Sequence, residues 1–355
     1  AIQQDHVDPE LLILAGETGL WFTPNGGDEW HRLSAGAPTI AFRDVKLHRR
    51  DDDIVGATFG RGFYVLDDYS PLREIAGGAL TADGGVMPVR DAWWYVPSVP
   101  NQAPGRPTLG STAYAAPNPD FGATLTYYLP TTPERPSRAR AERERGLRER
   151  NADVPFPGYD VLRAEAAEVG PSVLLQVEDA GGEPVRWVEG PARAGLHRVT
   201  WDLRRPAPDP VDLSTGGFRP PWVSDPVGPL VPPGTYSVRM LLVTTDAVTE
   251  IGPAQSFEVR PVPTAPPGTD FVAVADFQHR TSELSRRVGT ASRELGRVRE
   301  QMRLMRAALV RAPAAGASLR GRMDALDADL AALSLRLNGD PVRGSLNESS
   351  VPTIS

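Results

Sequence analysis

Apolar and polar positions alternate in short bursts over the first seventy-five residues, and Gly- and Asn-rich punctuation separates the bursts. The stretch "ELLILAGETGLWFTPNGGDEWHRLS" reads as strand, glycine turn, strand, tight turn, strand, because Asn25, Gly26 and Gly27 accept the positive φ that a hairpin demands. The same grammar recurs in "RDVKLHRRDDDIVGATFGRGFYVLDD": Val45 and Leu47 alternate with polar residues, "RRDDD" turns, "IVGATF" returns, "GRG" turns again and "FYVLDD" leaves. Strands this short, at this spacing, suit the four-stranded blades of a β-propeller, which take about 40 to 45 residues each.

Beyond residue 75 the pattern changes three times. Residues 76–133 are aromatic and Pro-rich ("AWWYVPS", "YAAPNPDFGATLTYYLP"), a connecting segment whose last part, "ATLTYYL", alternates as a strand. Residues 134–168 open with "ERPSRARAERERGLRER", whose Arg and Glu at i,i+4 spacing predict an exposed linker helix, followed by a loop. Residues 169–265 return to β: "SVLLQVEDAGGEPVRWVEG" is strand, turn, strand, "GLHRVTWDLRRP" points Val199, Trp201 and Leu203 inward, and "GPLVPPGTYSVRMLLV" and "AQSFEVRPVP" complete an immunoglobulin-like sandwich. From residue 270 the period becomes helical. Phe277, Leu284, Val288, Ala291, Leu295, Val298, Met302, Met305 and Leu309 keep a sustained heptad stepping, "RAPAAGA" breaks it at Pro313 and Gly316, and Leu319, Met323, Leu326, Leu330, Leu333 and Leu337 resume it. That predicts an antiparallel, coiled-coil-like hairpin over 270–340, with methionines as core, ending in a polar loop over 341–355.

Composition sharpens this reading. The 34 glycines and 36 prolines in 355 residues make about one residue in five, against an average near ~12%, so turns and short strands should outnumber long helices. The expected fold is therefore mainly β and multidomain: partial propeller blades, an Ig-like β-sandwich, then a helical hairpin. A formal charge of −7, with Lys46 the only lysine, provides no basic face for nucleic acid. The absence of cysteine excludes disulfides, thiolate nucleophiles and Cys-bound zinc. No run reaches the ~20 apolar residues of a membrane span. The opening "AIQQDHVDPELLILAG" has neither an initiator Met nor a basic-then-apolar plan, so a processed or excised segment is expected.

"TPNGGDEW" resembles a degenerate Asp-box, the S/T-x-D-x-G-x-T-W hairpin of sialidase- and sortilin-type propellers: Thr23, Asn25, Gly27 and Trp30 stand in register and Glu29 replaces the usual Thr. The resemblance implies a structural device, in which the amide caps its own turn and the Trp packs between strands. The longer stretch carrying "PTIAFRDVKLH", "GRGFYVLDD" and "SPLRE", continued by "NPDFGATLTYYL", is similar to the final blades of large bacterial sortilin-like, BNR-repeat proteins often labelled glycosyl hydrolases. "GLHRVTWDL" and "PPGTYSVRM" resemble the hook-capping type of Ig-like domain. These likenesses imply an exported protein (secreted, periplasmic or at the cell surface), of which residues 1–75 are about one and a half blades and the bulk of the ring precedes residue 1. They imply a non-catalytic binding and assembly role, with a protein or glycan ligand held by the ring and a helix partner at the hairpin seam. The alternative is a set of accessory domains on a sialidase-like glycoside hydrolase whose active site lies in upstream blades.

The candidate chemistry is sparse. Asp67 and Asp68 follow the "GRG" turn with Arg61 nearby, yet adjacent strand residues face opposite ways, so the two carboxylates do not read as an acid/base pair, and Arg61 reads as a structural ion-pair partner. The histidines, His6, His31, His48, His197 and His279, lack metal-ligand spacing. "VEDAGGEP" and "RRDDDIV" cluster carboxylates on loops but fit turns better than an EF-hand. "GTASRELG" lacks the Gly spacing and Lys of a P-loop, and no G-x-S-x-G is present. No catalytic residue, metal or cofactor is expected.

Overall fold

A computed structural model describes residues 1–34, 36–76, 84–97, 118–209, 225–245, 247–312, 317–348 and Thr353. The chain divides into two compact units, one of Ala1–Leu203 with Pro233–Pro267 and one of Arg204–Pro232 with Gly268–Ser355. The break expected at Pro313 and Gly316, and most of the Pro-rich stretch before Asn118, lie outside the described residues.

In the first unit, β1 (Ile2–Gln4), β2 (Leu12–Gly16), β3 (Gly19–Thr23) and β4 (His31–Leu33) form an antiparallel sheet in sequence order. A second antiparallel sheet follows, β5 (Phe42–His48), β6 (Asp53–Thr58) and β7 (Phe63–Leu66), again in order. Alternation decides which side chains meet between them. Leu11, Ile13, Ala15, Leu20 and Phe22 from the first sheet bury against Phe42, Val45 and Ile54 from the second, with Tyr69 and Leu72 closing the cluster. At about 1.5–3 kcal/mol for each large side chain fully buried, this cluster is the main stabilising contact of residues 1–76. Gly56 is fitted to it, since a Cβ there would lie 2.7 Å from the Phe42 ring. A short helix, α1 (Pro71–Ala76), closes the segment where the sequence pattern predicts no element.

The opposite faces of both sheets also carry apolar patches, beside polar residues: Gln4 pairs with Leu12, Arg32 with Trp21, Lys46 with Val55 and Asp44 with Ala57. The pairs Leu14↔Trp21 and Ile2↔Leu14 put three large side chains, with Leu12 beside them, on the outer face of the first sheet. Val55↔Val65 and Ala57↔Phe63 do the same on the second, where Phe63 is 75% and Val65 56% exposed. An antiparallel sheet covered on one side only should instead be polar outward.

The rest of this unit contains β8 (Gly85–Val86), β9 (Ala92–Trp94), β10 (Ala123–Leu129), α2 (Pro136–Glu149), α3 (Tyr159–Ala166), β11 (Ser172–Asp179), β12 (Pro184–Gly190), β13 (Gly195–Trp201), β14 (Gly234–Val243) and β15 (Val248–Pro261). Two sheets result, β13-β10-β8 and β12-β11-β14-β15-β9. They meet through Trp201, fully buried, whose ring packs edge-on against Tyr236 at 5.3 Å and Phe257 at 6.2 Å. β8 and β9 come from the stretch expected to be a connector, and β9 joins the sheet edge parallel to β15. The Arg/Glu-rich run forms α2, and Arg140 clamps it to α3 by a two-pronged bond to Glu165 at 2.7 Å.

The second unit is dominated by α4 (Phe271–Leu309) and α5 (Ala317–Asn338), an antiparallel hairpin with Leu295 and Met302 buried against Met323 and Leu330. Asp270 caps α4 by accepting from the Ala273 N–H at 2.9 Å. The loop expected after residue 340 opens with a short helix, α6 (Pro341–Ser345), capped by Asp340 and started by Pro341. No helix among the described residues is long and apolar enough to cross a membrane.

The expectation of a mainly β chain is met only in part: helix and strand each take 31% of the structure, which mixes sheets and helices and includes a curled half-barrel sheet and the C-terminal hairpin. Glycine and proline mark where elements stop and say nothing of how far a helix runs between them. A single 39-residue helix matches the residues of several strands.

Candidate functional site

The densest set of charged groups surrounds Arg73 on α1. Its guanidinium donates to Asp5 through Nε at 2.7 Å and Nη2 at 2.9 Å, and to Asp52 through Nη2 at 2.6 Å and Nη1 at 3.0 Å. Tyr69, one helical turn earlier, donates its hydroxyl to Asp5 at 2.5 Å and lies under the guanidinium. Asp5 follows β1 and also accepts the backbone N–H groups of Val7 and Asp8. Asp52 sits at the β5–β6 turn with φ 54°, a left-handed conformation that Asp tolerates, and its carbonyl accepts the Tyr69 N–H at 2.6 Å. One side chain thus ties the first sheet, the second sheet and α1 together.

The electrostatics follow from this geometry. Burial disfavours the Asp5 anion, but the Arg73, Tyr69 and Asp8 hydrogen bonds outweigh it and hold the carboxyl well below the usual range. Burial, then its bond to Asp5, pushes the Tyr69 phenol far up, and Arg73 is raised by its own bonds to Asp5 and then Asp52. Near neutral pH, Asp5 is held as the anion, Arg73 as the cation and Tyr69 as the neutral phenol.

His6 lies 3.4 Å from Asp5 and 3.6 Å from Asp52, so Asp5, His6 and Asp52 each bring a ligand-type atom within 4.8 Å of the others, the arrangement of a metal-ligand set. Arg73 already occupies the space between the two carboxylates, however, and a second cation would have to displace it. A second group, His48, Asp51 and Asp53, is likewise committed: Arg50 holds Asp51 at 2.7 Å and Arg90 lies 3.7 Å from Asp53. Sequence spacing concealed the first group, whose two carboxylates are 47 positions apart along the chain; the second was visible as H-x-x-D-x-D within "HRRDDD".

The residues singled out from sequence are dispersed. In the "TPNGGDEW" turn, fully buried Thr23 donates to the Asn25 side chain at 2.9 Å and accepts the Gly27 N–H at 3.0 Å, while Asn25 accepts the Glu29 N–H at 3.0 Å. Gly26 and Gly27 take φ of 68° and 116°, and half-buried Trp30 immediately precedes β4. Arg61 is exposed at the tip of the β6–β7 turn and makes no ion pair among the described residues, so the expected structural pair is corrected: the turn projects it into solvent. The opposed-faces argument for Asp67 and Asp68 is also corrected, because β7 ends at Leu66 and Asp68 turns left-handed with φ 51°. Buried Asp68 accepts from the Ser70 hydroxyl at 2.6 Å ahead of α1, and Asp67 is held above its ordinary pKa by burial and then by Asp53. Arg198 on β13 bonds both backbone carbonyls, at 2.6 and 2.7 Å.

A concave site was missed in the sequence. Trp93 and Tyr95, beside the β9 edge, and Phe121, before β10, line a cavity of ≈ 250 Å³ with Arg90, Asn118 and Asp120 around it. Tyr95 and Phe121 pack edge to face at 4.8 Å. Aromatic faces beside amide and charged groups suit a small polar ligand. The signals were present in "AWWYVPS" and "NPDFG", read above as connector. Comparison with family models, curated proteins and solved structures returns no match to this chain.

Proposed function

We propose that the chain is a non-catalytic binding and assembly region, in which residues 1–76 are neighbouring blades of a larger sortilin-like propeller and the sheets that follow are an Ig-like sandwich. The observation that carries this reading is the pair of apolar patches on the outer faces, Ile2, Leu12, Leu14 and Trp21 on one sheet and Val55, Ala57, Phe63 and Val65 on the other. Sheets stacked radially are covered on both faces. In support, Arg73 is committed to Asp5 and Asp52 and joins the sheets, and of the two carboxylates lining the cavity beside Trp93, Asp91 is held by Arg260 at 2.6 Å and by the Glu258 N–H.

The test is a Phe63→Lys/Val65→Lys double variant, assayed for thermal unfolding and for binding of a hydrophobic dye, alongside turnover of a panel of aryl glycosides. The expected result is unchanged unfolding, reduced dye binding and no turnover. Collapse of the fold would place that face inside the chain's own core, and turnover abolished by Asp67→Asn would make the chain an enzyme; either result overturns the proposal.

A further inference from the structure

Three rows of residues, each seven apart, run along α4. Leu295, Met302 and Leu309 are buried or packed against Met323, Leu330 and Leu337 of α5. On one flank, Ser292, Arg299 and Arg306 bond across to Asn338, Ser334 and the Asp324/Asp327 pair. Phe277, Leu284, Ala291, Val298 and Met305 occupy the other flank, where Phe277 is 64%, Leu284 62% and Met305 51% exposed. Antiparallel pairing places the equivalent row of α5, Leu319, Leu326 and Leu333, on the same side, and all three are exposed. The hairpin therefore buries one of its two apolar rows and presents most of the other, in which Val298 alone packs partly against the seam.

The presented row on α4 also outruns its partner. α5 ends at Asn338 opposite Ser292, so residues 271–291 continue for about 30 Å beyond it at 1.5 Å per residue. Phe277 and Leu284 lie on that extension.

We propose that a second copy of this chain covers the row, the two α4 helices packing antiparallel about a two-fold axis at Ala291. In that register Phe277 meets Met305 of the second copy, Leu284 meets Val298 of the second copy, and Ala291 meets itself, a small residue where the helices cross the axis. Charge selects the same arrangement. The polar row bordering the apolar one reads Arg280, Arg287, Glu294, Gln301, so Arg287 faces Glu294 of the second copy twice by symmetry and Arg280 faces Gln301 of the second copy. Such exposed pairs add little affinity but set orientation. A parallel pairing would instead set Arg287 toward Ser292 of the second copy, in the row α5 already uses. This inference rests on the assembly part of the proposed function and names its partner.

Because the chain has no cysteine, single introduced thiols report the register. Ala291→Cys should give a disulfide-linked dimer under mild oxidation, whereas Phe277→Cys alone should not, since its two copies would stand about 42 Å apart, and Phe277→Cys mixed with Met305→Cys should link. Glu294→Arg should weaken dimerisation at least several-fold by light scattering, and adding Arg287→Glu should restore it. Self-linking of Phe277→Cys would show parallel pairing, and a monomer at every concentration with no Ala291→Cys link would show that no second copy binds; both overturn the inference. The monomer result leaves the dye and turnover measurements on the sheet faces untouched, so the two failures are separable.

Discussion

Replacing Arg73 with alanine removes the four hydrogen bonds that join Asp5 and Asp52 to α1. The Asp5 side chain is fully buried, so its carboxylate is left with the Tyr69 hydroxyl and two backbone N–H groups and no cation. Breaking a buried pair on one side costs about 3–5 kcal/mol; the surviving donors place this case near the lower end, about 3 kcal/mol. Arg73→Lys, which keeps the charge but loses the fork, should cost about half as much. The sign of the pH dependence gives a second reading. Asp5 in the folded protein is depressed below its unfolded value near ~3.9, so its contribution is complete above that pH and is lost as pH falls toward the folded pKa. Without Arg73, burial is the larger influence and the folded pKa rises, so acid relieves the variant while it destabilises the parent. The stability gap should be widest at pH 7 and narrow below about pH 4. Urea unfolding followed by tryptophan fluorescence suits the measurement, since Trp21, Trp30, Trp93, Trp94, Trp187 and Trp201 all belong to the first unit. A loss under about 1 kcal/mol at pH 7, or a gap that does not change with pH, would refute a buried, ion-paired network of the kind described.

Three further outcomes follow from local geometry. Asn25→Ala removes the acceptor for both the Thr23 hydroxyl and the Glu29 N–H, and should cost about 1 kcal/mol in urea unfolding. Gly122→Ala should abolish soluble expression of the first unit, because φ is +134° and the new Cβ would sit 1.9 Å from the Trp201 carbonyl oxygen, where β10 and β13 pair. Met302→Ala should cost about 2–5 kcal/mol of hairpin stability by helical circular dichroism, whereas Met305→Ala, three residues on but in the presented row, should stay within about 0.5 kcal/mol in dilute, monomeric samples.

What the sequence made legible is local. Strand alternation, the Asn-Gly-Gly turn and the heptad stepping each depend on residues a few positions apart, and β2, β3, β5, β6, α4 and α5 fall where those patterns place them. The site around Arg73 depends on pairs 21 and 68 residues apart, and no short-range pattern encodes which carboxylate a helix-borne arginine will meet. α1 was hidden for a related reason: "SPLREI" is too short for a helical period to emerge, and its first turn is fixed by Asp68 and Ser70, whose conformations depend on the β5–β6 turn. The cavity escaped because Trp93 and Phe121 lie on either side of a long Pro-rich stretch.

The hairpin shows how one pattern can place two helices and still leave apolar side chains outside their shared seam. A 4-3 stepping supplies two apolar rows per helix, and in a centred two-stranded coiled coil both rows face the partner. Here α5 sits over the Leu295–Met302–Leu309 row and bonds across its far flank through Ser292, Arg299 and Arg306, an offset that leaves Met305 at the edge of the seam, while Phe277 and Leu284 lie beyond the end of α5. The continuous apolar run "LLIL" in β2 behaves alike: Leu11 and Ile13 go to the shared core while Leu12 and Leu14 turn outward, the mark of a strand that expects cover on both faces. Apolar residues left over at both ends of the chain are the surfaces that the proposed association would cover.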